Sequence, residues 1–276
     1  MRFLPRSASP LPPDAGNSTW EGYERIDFKV DGRDALLVFP RETASGKPWI
    51  WRTEFFGHEP QADIALLGRG FHVAYMDVQN LYGAPGAIAA MDRLYQELTG
   101  RFGLSIRPVL EGLSRGGLFA LNWAARYPER TTALYLDAPV CDFKSWPAGW
   151  GRSPGSSDDW ARCKAVYGVE NDEAAKAYAL NPVDNLQPLA ASRIPILSVC
   201  GAADRVVPYE ENTGVIYDRY RALDGPITVL LKPGVDHHPH SLKDPQRIVD
   251  FILRAVDPKP LALGELTDLV RVEDPR

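Results

Sequence analysis

Residues 112–116 read Gly-Leu-Ser-Arg-Gly, which places a serine at the centre of a G-x-S-x-G pattern. An apolar run ending at Leu110 precedes it, and apolar residues at helical spacing follow it: Leu118, Leu121 and Ala125. A strand, a tight turn and a helix form the context that a nucleophilic serine requires. Glycines on both sides remove the Cβ atoms that would clash in such a turn. Without this context the pattern would be an ordinary glycine-rich turn; with it, the sequence predicts Ser114 as a nucleophile.

A serine hydroxyl needs a neighbouring base to accept its proton. Three of the five histidines, His237, His238 and His240, follow the last predicted strand, whereas His58 and His72 precede the serine. Loops after the carboxyl ends of parallel strands meet at one edge of a sheet. His237 leaves the strand first and is the preferred base, with His238 second. A metal site in this cluster is the least favoured interpretation, because no cysteine or recognisable acidic ligand spacing lies nearby. No metal or other cofactor is expected.

The base in turn needs a carboxylate to fix its tautomer and stabilise the imidazolium. Asp204 lies just beyond the apolar run 195–201 and is the preferred acid. Asp137, which follows the preceding predicted strand, is the rival, and an aspartate soon after a glycine also often caps a turn. The predicted catalytic set is therefore Ser114, Asp204 and His237.

Strands and helices alternate along the chain, as is needed to bring these residues together. Strands are predicted at 24–30, 34–39, 48–52, 71–78, 132–139, 195–201 and 226–234, besides the one before the serine. Helices are predicted at 61–70 (closed by Gly70), 82–102 (capped by Gly100), 172–180 and 245–256, besides the one after the serine. This alternation predicts an α/β fold with a mostly parallel central sheet covered by helices on both faces.

Three stretches lie outside this alternation. Residues 1–19 are rich in proline and predict an irregular arm, and the tail from Asp257 has no clear pattern. Residues 141–190 separate two core strands by a length typical of an insertion, so they predict a lid. We expect a single domain, 1–276, that carries this lid.

The serine motif, the Gly-Ala-Ala-Asp stretch ending at Asp204 and the late histidine resemble the α/β-hydrolase superfamily, whose members share the chain order serine, acid, histidine. The layout matches from about residue 24 to 255. It is most similar to the esterase and prolyl-oligopeptidase-like branch, which includes carbohydrate esterases. The resemblance implies an α/β-hydrolase fold and a serine hydrolase.

The resemblance also implies an oxyanion hole built from two backbone N–H groups. One would belong to Arg115, directly after the nucleophile. The other would come from the loop after the third strand. This chain lacks the His-Gly pair that family members often carry there, so Thr53 is nominated, with Arg52 and Glu54 as its neighbours.

Large side chains in the predicted lid are candidates to contact a substrate: Trp146, Trp150 and Trp160. Aromatic rings can stack on a sugar or enclose an acyl chain, although each can equally pack the lid onto the sheet. Arg52 is a candidate to bind a substrate carboxylate, and Tyr82, which follows a strand end, is a candidate to line the site.

The composition is that of an ordinary globular protein. The 276 residues carry a net charge of -5 and a pI near 5.6, with no basic block, so neither nucleic acid nor an anionic membrane is the expected partner. Three cysteines do not make a disulfide framework; a Cys141–Cys163 pair is conceivable, but reduced thiols are favoured. The N-terminus is too proline-rich for a signal peptide, so a cytoplasmic location is expected, or a secreted one if a signal peptide has been removed. The oligomeric state is not predicted.

These residues predict a serine esterase that cleaves a small acyl or carbohydrate ester through an acyl-enzyme. A peptidase of the prolyl-oligopeptidase type is the second interpretation; these residues contain no region like the propeller domain with which such enzymes select peptides. A non-catalytic binding protein of the same fold is the third.

Overall fold

The computed structural model describes residues 3–4, 11–257 and 269–271. The strands in chain order are β1 (Phe3–Leu4), β2 (Gly16–Trp20), β3 (Tyr23–Val30), β4 (Arg33–Val38), β5 (Thr43–Ala44), β6 (Trp49–Arg52), β7 (His72–Met76), β8 (Val109–Leu113), β9 (Ala133–Asp137), β10 (Ile196–Gly201), β11 (Ile227–Lys232) and β12 (Leu269–Arg271). The α-helices are α1 (Gln61–Leu67), α2 (Pro85–Arg101), α3 (Gly116–Arg126), α4 (Ser157–Tyr167), α5 (Asp172–Lys176), α6 (Gln187–Ala191), α7 (Thr213–Ala222) and α8 (Gln246–Val256).

Within the described residues, ten strands form one sheet in the order β12-β11-β10-β9-β8-β6-β7-β4-β3-β2. The strands from β12 to β7 in this order are parallel, whereas β4, β3 and β2 are antiparallel to their neighbours. β8 lies between β6 and β9, and β10 and β11 follow beyond β9. The loops that leave the carboxyl ends of these parallel strands therefore lie side by side at one edge of the sheet.

Helices cover both faces of this sheet, because each face of its parallel strands is apolar. On one face α1 and α8 contribute buried residues such as Leu66 and Ile248. On the other face α2, α3 and α7 contribute Leu94, Leu118 and Ile216. This arrangement confirms the predicted α/β architecture. Among the described residues, none of the helices combines the length and apolar character needed to cross a membrane.

Most predicted strands and helices are present, but several details of the prediction are wrong. α1 ends at Leu67 with Gly68 as its cap; Gly70 instead occupies a left-handed turn, where a Cβ would lie 2.6 Å from Ala44 N. Gly100 lies inside α2 and does not cap it. β2 extends into the predicted irregular arm, and α7 was not predicted. Residues 1–2, 5–10, 258–268 and 272–276 lie outside the described residues, so the predictions for the first residues of the arm and for most of the tail are not tested.

The segment 141–190 contains α4 and α5 and packs against the α2 and α3 side of the sheet. Tyr167 Oη donates to Tyr82 O at 2.8 Å, and Asn122 Nδ2 donates to Tyr167 Oη at 3.3 Å. Cys163 is completely buried in the same core, and Cys141, Cys163 and Cys200 are free thiols. This packing describes an inserted segment, while its action as a lid stays a prediction.

Candidate active site

Ser114 lies in the sharp turn between β8 and α3. Its φ is +49°, in the left-handed region that non-glycine residues seldom occupy. Two hydrogen bonds join this turn to the end of β9 and the loop after it: Ser114 N donates to Asp137 O at 2.9 Å, and Val140 N donates to Ser114 O at 2.8 Å. A Cβ on Gly112 would lie 2.8 Å from Gly116 O, so this position needs glycine. The structure thus contains the strand, tight turn and helix that the sequence predicts.

The three side chains of the predicted catalytic set lie in hydrogen-bond contact. Ser114 Oγ is 3.0 Å from His237 Nε2, and His237 Nδ1 is 2.8 Å from Asp204 Oδ2. The other carboxylate oxygen of Asp204 accepts the backbone N–H groups of Val206 (2.9 Å) and Val207 (2.8 Å). The His237 and Asp204 side chains are buried. Both carboxylate oxygens are therefore engaged, and the imidazole is fixed between acid and hydroxyl.

The loop that follows β11 is held against the end of β10. A Cβ on Gly201 would lie 2.3 Å from Asp236 O, so only glycine permits this close approach. The Asp236 carboxylate accepts His237 N at 2.8 Å and the side chain of Arg205 at 2.7 Å. Hydrogen bonds from the Arg205 backbone and side chain and from His237 N–H lower the pKa of Asp236 to about 2. An ionised Asp236 thus orients the backbone at His237 over the working pH range of most enzymes.

Ser114 opens into a cleft of about 450 Å³, within the size range of small-molecule sites. Its wall combines two phenylalanines with four imidazoles, and it is formed by Phe55, Phe56, His58, Ser114, His237, His238 and His240. The phenylalanines and His58 belong to the loop after β6, and the other imidazoles belong to the loop after β11. The cleft therefore lies between two loops at the carboxyl edge of the sheet.

Two of the imidazoles are exposed in this cleft. Partial burial and the neighbouring His240 lower the pKa of His58, and the same two effects together with His237 lower the pKa of His238. Since the ordinary value is about 6.5, both rings are neutral at pH 7 and above. Neutral imidazoles offer one donor and one acceptor each to a bound molecule.

A second aspartate–histidine pair lies beside the first. His240 Nδ1 is 2.9 Å from Asp137 Oδ1, and both side chains are buried. The other oxygen of Asp137 accepts Tyr135 Oη at 2.9 Å and Ser241 N at 2.7 Å. Burial acts to raise the pKa of Asp137, but the hydrogen bonds of His240 and Tyr135 and the charge of Lys232 outweigh it, so the pKa is lowered. Asp137, the rival acid in the sequence analysis, thus pairs with His240, whereas His237, the histidine next to Ser114, pairs with Asp204.

The nomination of Thr53 as an oxyanion donor is wrong. Thr53 N donates to Glu111 O at 3.0 Å, because the hydrogen bonding between β6 and β8 continues one residue past the end of β6. Its hydroxyl is also engaged, at 2.9 Å from both Glu111 O and Gly116 O. Arg115, the other nominated donor, lies at the start of α3, where backbone N–H groups have no partner within the helix.

Arg52 cannot bind a substrate, since its side chain is completely buried under the sheet edge. Its guanidinium contacts Asp63 Oδ2 at 2.6 Å and Glu111 Oε1 at 3.0 Å, and it also donates to His58 O. Burial of a charge requires such partners. Arg52 therefore has a structural role, fixing the loop after β6.

The aromatic residues nominated for substrate contact do not line the cleft. Tyr82 is buried and donates to Asp159 Oδ1 at 2.5 Å. The ring of Trp146 is 6.3 Å from that of Tyr82, and the rings of Trp150 and Trp160 are 5.2 Å apart. These side chains pack the 141–190 segment onto the body, which was the alternative that the sequence left open.

His238, the second choice for the base, lines the cleft without a hydrogen bond to Ser114; its ring centroid is 5.0 Å from that of His237. Sequence reasoning missed Phe55, Phe56 and His58 as cleft residues. The signal was available, since all three belong to the loop after β6 in which an oxyanion donor was sought.

A scan against protein-family models finds no match, and a search of curated proteins finds none either. Solved structures do match. An acylaminoacyl peptidase from Pyrococcus horikoshii matches at 14% identity and a TM-score of 0.64, over 87% of this chain and 42% of that one. Est1E from Butyrivibrio proteoclasticus matches at 19% identity and a TM-score of 0.59, over 88% of this chain and 99% of Est1E. A putative lipase from Acinetobacter baumannii matches at 15% identity and a TM-score of 0.56, over 89% of this chain and 93% of the lipase.

These similarities establish the fold. The chain has the α/β-hydrolase fold that the sequence analysis predicted. It spans less than half of the peptidase and nearly all of Est1E and the lipase. At such low identities the comparison does not extend to the substrate.

Proposed function

We propose that this protein is a serine hydrolase that cleaves carboxylic esters through an acyl-enzyme. The observation that carries the proposal is the contact chain from Ser114 Oγ to His237 Nε2 (3.0 Å) and from His237 Nδ1 to Asp204 Oδ2 (2.8 Å), with the serine in a strained turn. Nucleophile and base within hydrogen-bond reach, with the base oriented by a third group, is the arrangement that activates a hydroxyl.

The geometry gives each side chain one role. His237 Nε2 takes the proton of Ser114 as Oγ forms a bond to the carbonyl carbon, and the carbonyl electrons move to its oxygen. When the tetrahedral intermediate collapses, the bond to the alkoxy group breaks and His237 returns the proton to the departing alcohol. Water then repeats the two steps on the acyl-enzyme, which releases the acid and restores Ser114. Asp204 keeps the other imidazole proton on Nδ1 throughout.

The developing oxyanion needs two N–H donors. Arg115 N is one. For the second we propose Phe55 N, since Phe55 follows the engaged Thr53, lines the cleft with Ser114 and has a φ of +53° that turns the loop sharply at this point. A crystal structure with a phosphonate on Ser114 tests this assignment: the phosphoryl oxygen should lie about 2.7–3.1 Å from both nitrogens. A contact to Glu54 N instead would contradict it.

The cleft favours an ester with a small acyl group. It is open and of modest volume, and Phe55 and Phe56 supply apolar wall beside the serine. The same two rings can stack on a sugar, so a carbohydrate ester stays within the proposal. The coverage of Est1E and the lipase over nearly their whole length supports an esterase, whereas the likeness to the peptidase supports amide cleavage as the second candidate.

Initial rates on p-nitrophenyl acetate and butyrate, compared with rates on peptide p-nitroanilides, decide between these candidates. We expect the esters to be the better substrates. Ser114→Ala should lower kcat on the esters by about 10⁴-fold or more and leave the circular dichroism spectrum unchanged. His237→Ala should cost far more than His238→Ala. Faster cleavage of anilides would favour the peptidase, and failure of a fluorophosphonate to label Ser114 would favour a non-catalytic protein.

A further inference from the structure

Three imidazoles meet in the cleft without a part in the proposed ester hydrolysis. His58 comes from the loop after β6, while His238 and His240 come from the loop after β11, 180 residues later in the chain. One ring nitrogen from each lies within 4.8 Å of the other two. The ring centroids are 5.8 Å (His58–His238), 5.7 Å (His58–His240) and 4.7 Å (His238–His240) apart. We propose that these three histidines bind one divalent transition-metal ion, of the kind for which imidazole is a preferred ligand: Zn²⁺, or Co²⁺ and Ni²⁺ in its place.

The buried side chain of Asp137 prepares His240 for this role. Its Oδ1 contacts His240 Nδ1 at 2.9 Å, and in the neutral ring this contact holds the proton on Nδ1, so that Nε2 is the nitrogen that would bind the ion. The other carboxylate oxygen is fixed by Tyr135 Oη and Ser241 N. A carboxylate that orients a ligating histidine through its second nitrogen is the usual outer shell of a metal site. The proposed ester hydrolysis gives no role to this second aspartate–histidine pair.

Buried cations hold the backbone on both sides of the cluster. Lys232, which is only 2% exposed, donates from Nζ to Pro239 O at 2.6 Å and to Ser241 O at 3.0 Å, on either side of His240. Arg52, which is fully buried, donates to His58 O. The backbone positions are thus fixed, whereas the exposed rings of His58 and His238 can rotate. On binding, these two rings would rotate to place their nitrogens about 2.0–2.1 Å from the ion, the distance that zinc requires.

His237 is not part of this set, because Asp204 and Ser114 occupy both of its ring nitrogens. Three protein ligands would leave the fourth tetrahedral position open, and all three proposed ligands line the cleft together with Ser114. A bound ion would share the cleft with whatever molecule approaches Ser114. A metal site is the least favoured interpretation of residues 237–240 alone, because no cysteine or recognisable acidic ligand spacing lies near them; the third ligand, His58, is remote in sequence.

Metal binding can be measured directly, so its outcome is independent of the ester-hydrolysis proposal. Untagged protein is stripped with a chelator, dialysed and titrated with CoCl₂ by visible absorption and with ZnCl₂ by calorimetry. We expect one ion per chain and a Co²⁺ spectrum typical of tetrahedral nitrogen coordination. Loss of an outer-shell partner alone lowers metal affinity by up to about 100-fold. His58→Ala/His238→Ala removes two ligands, so it should lower the affinity by at least that factor.

His72→Gln is the matched control, since His72 is the one histidine outside the cleft; it should bind Zn²⁺ as the wild type does. Thermal unfolding of each stripped variant verifies the fold, and His58→Ala alone, at an exposed position, serves if the double variant fails to fold. Absence of saturable one-to-one binding in the wild type would overturn the proposal. Wild-type affinity in His58→Ala/His238→Ala would overturn it as well.

Discussion

Replacing Asp204 by asparagine should give a stable protein with very little activity, for a reason that the hydrogen bonds specify. Asp204 Oδ1 accepts two backbone N–H groups, from Val206 and Val207, and Oδ2 contacts His237 Nδ1. In Asp204→Asn, only the amide oxygen can face the two N–H donors, so the amide nitrogen must face His237. Its N–H then donates to Nδ1, and the imidazole proton moves to Nε2.

An imidazole with its proton on Nε2 cannot accept the proton of Ser114, 3.0 Å away. Fixing the wrong tautomer in a serine–histidine–aspartate set lowers kcat by about 10⁴-fold, which corresponds to about 5 kcal/mol of transition-state stabilisation. Asp204→Ala provides the comparison. It leaves the tautomer free but removes the acceptor of two N–H groups, one of them in buried Val207, at a cost of about 1–3 kcal/mol for each unsatisfied group.

Rates on p-nitrophenyl acetate and urea unfolding of the two variants test this reasoning together. We expect Asp204→Asn to unfold near the wild-type midpoint and to be no more active than Asp204→Ala, which should unfold at lower urea. An Asp204→Asn activity within tenfold of wild type would refute the tautomer argument. Equal destabilisation of both variants would refute the assignment of the amide oxygen.

Two further predictions concern stability. Burial, opposed by Arg115, raises the pKa of Glu54 from 4.5 to about 7. The folded state therefore holds this proton more strongly, and the contribution of Glu54 to the free energy of unfolding falls as the pH rises from about 4.5 to 7. Glu54→Gln should therefore gain on wild type by up to about 3 kcal/mol between pH 4.5 and 8 in urea unfolding; a pH-independent difference would contradict this. In Gly117→Ala the new Cβ would lie 2.5 Å from Pro139 Cβ, so we expect the free energy of unfolding to fall by about 1–3 kcal/mol in urea unfolding. The control Gly100→Ala places its Cβ in open space on α2 and should be neutral or stabilising. Equal effects of the two substitutions would contradict the predicted clash at Gly117.

The parts of the site that were predictable from sequence depend on local chemistry. Glycine is required at 112 because of a contact four residues away, and an apolar run and apolar residues at helical spacing identify β8 and α3 around Ser114. His237 was preferred because it leaves its strand first, and the loop indeed turns it towards the serine. Such features are encoded within a few residues of each other.

The wrong predictions concern residues whose surroundings are determined by contacts with residues that are distant in sequence. Thr53 N is occupied because β8 supplies an acceptor opposite it, which depends on the register of two strands about 60 residues apart. Arg52 looked like a substrate ligand because its partners, Asp63 and Glu111, come from α1 and β8. Residue type likewise does not give the direction of a tryptophan ring, and Trp160 points into the protein.

The choice between the two aspartates illustrates the same limit at the site itself. β9 and β10 are adjacent parallel strands, with Asp137 opposite Val199, so both Asp137 and Asp204 reach the same edge of the sheet. The loop after β11 passes both and supplies one imidazole to each, His240 and His237. The sequence therefore left Asp137 as a rival to the preferred Asp204, because both follow adjacent strands of the sheet. Only the path of the loop, held by buried Lys232, determines that one pair meets the serine and the other meets two exposed imidazoles. A single edge of the sheet consequently carries two aspartate–histidine pairs, one in contact with the serine for which we propose hydrolysis and one in the histidine cluster for which we propose metal binding.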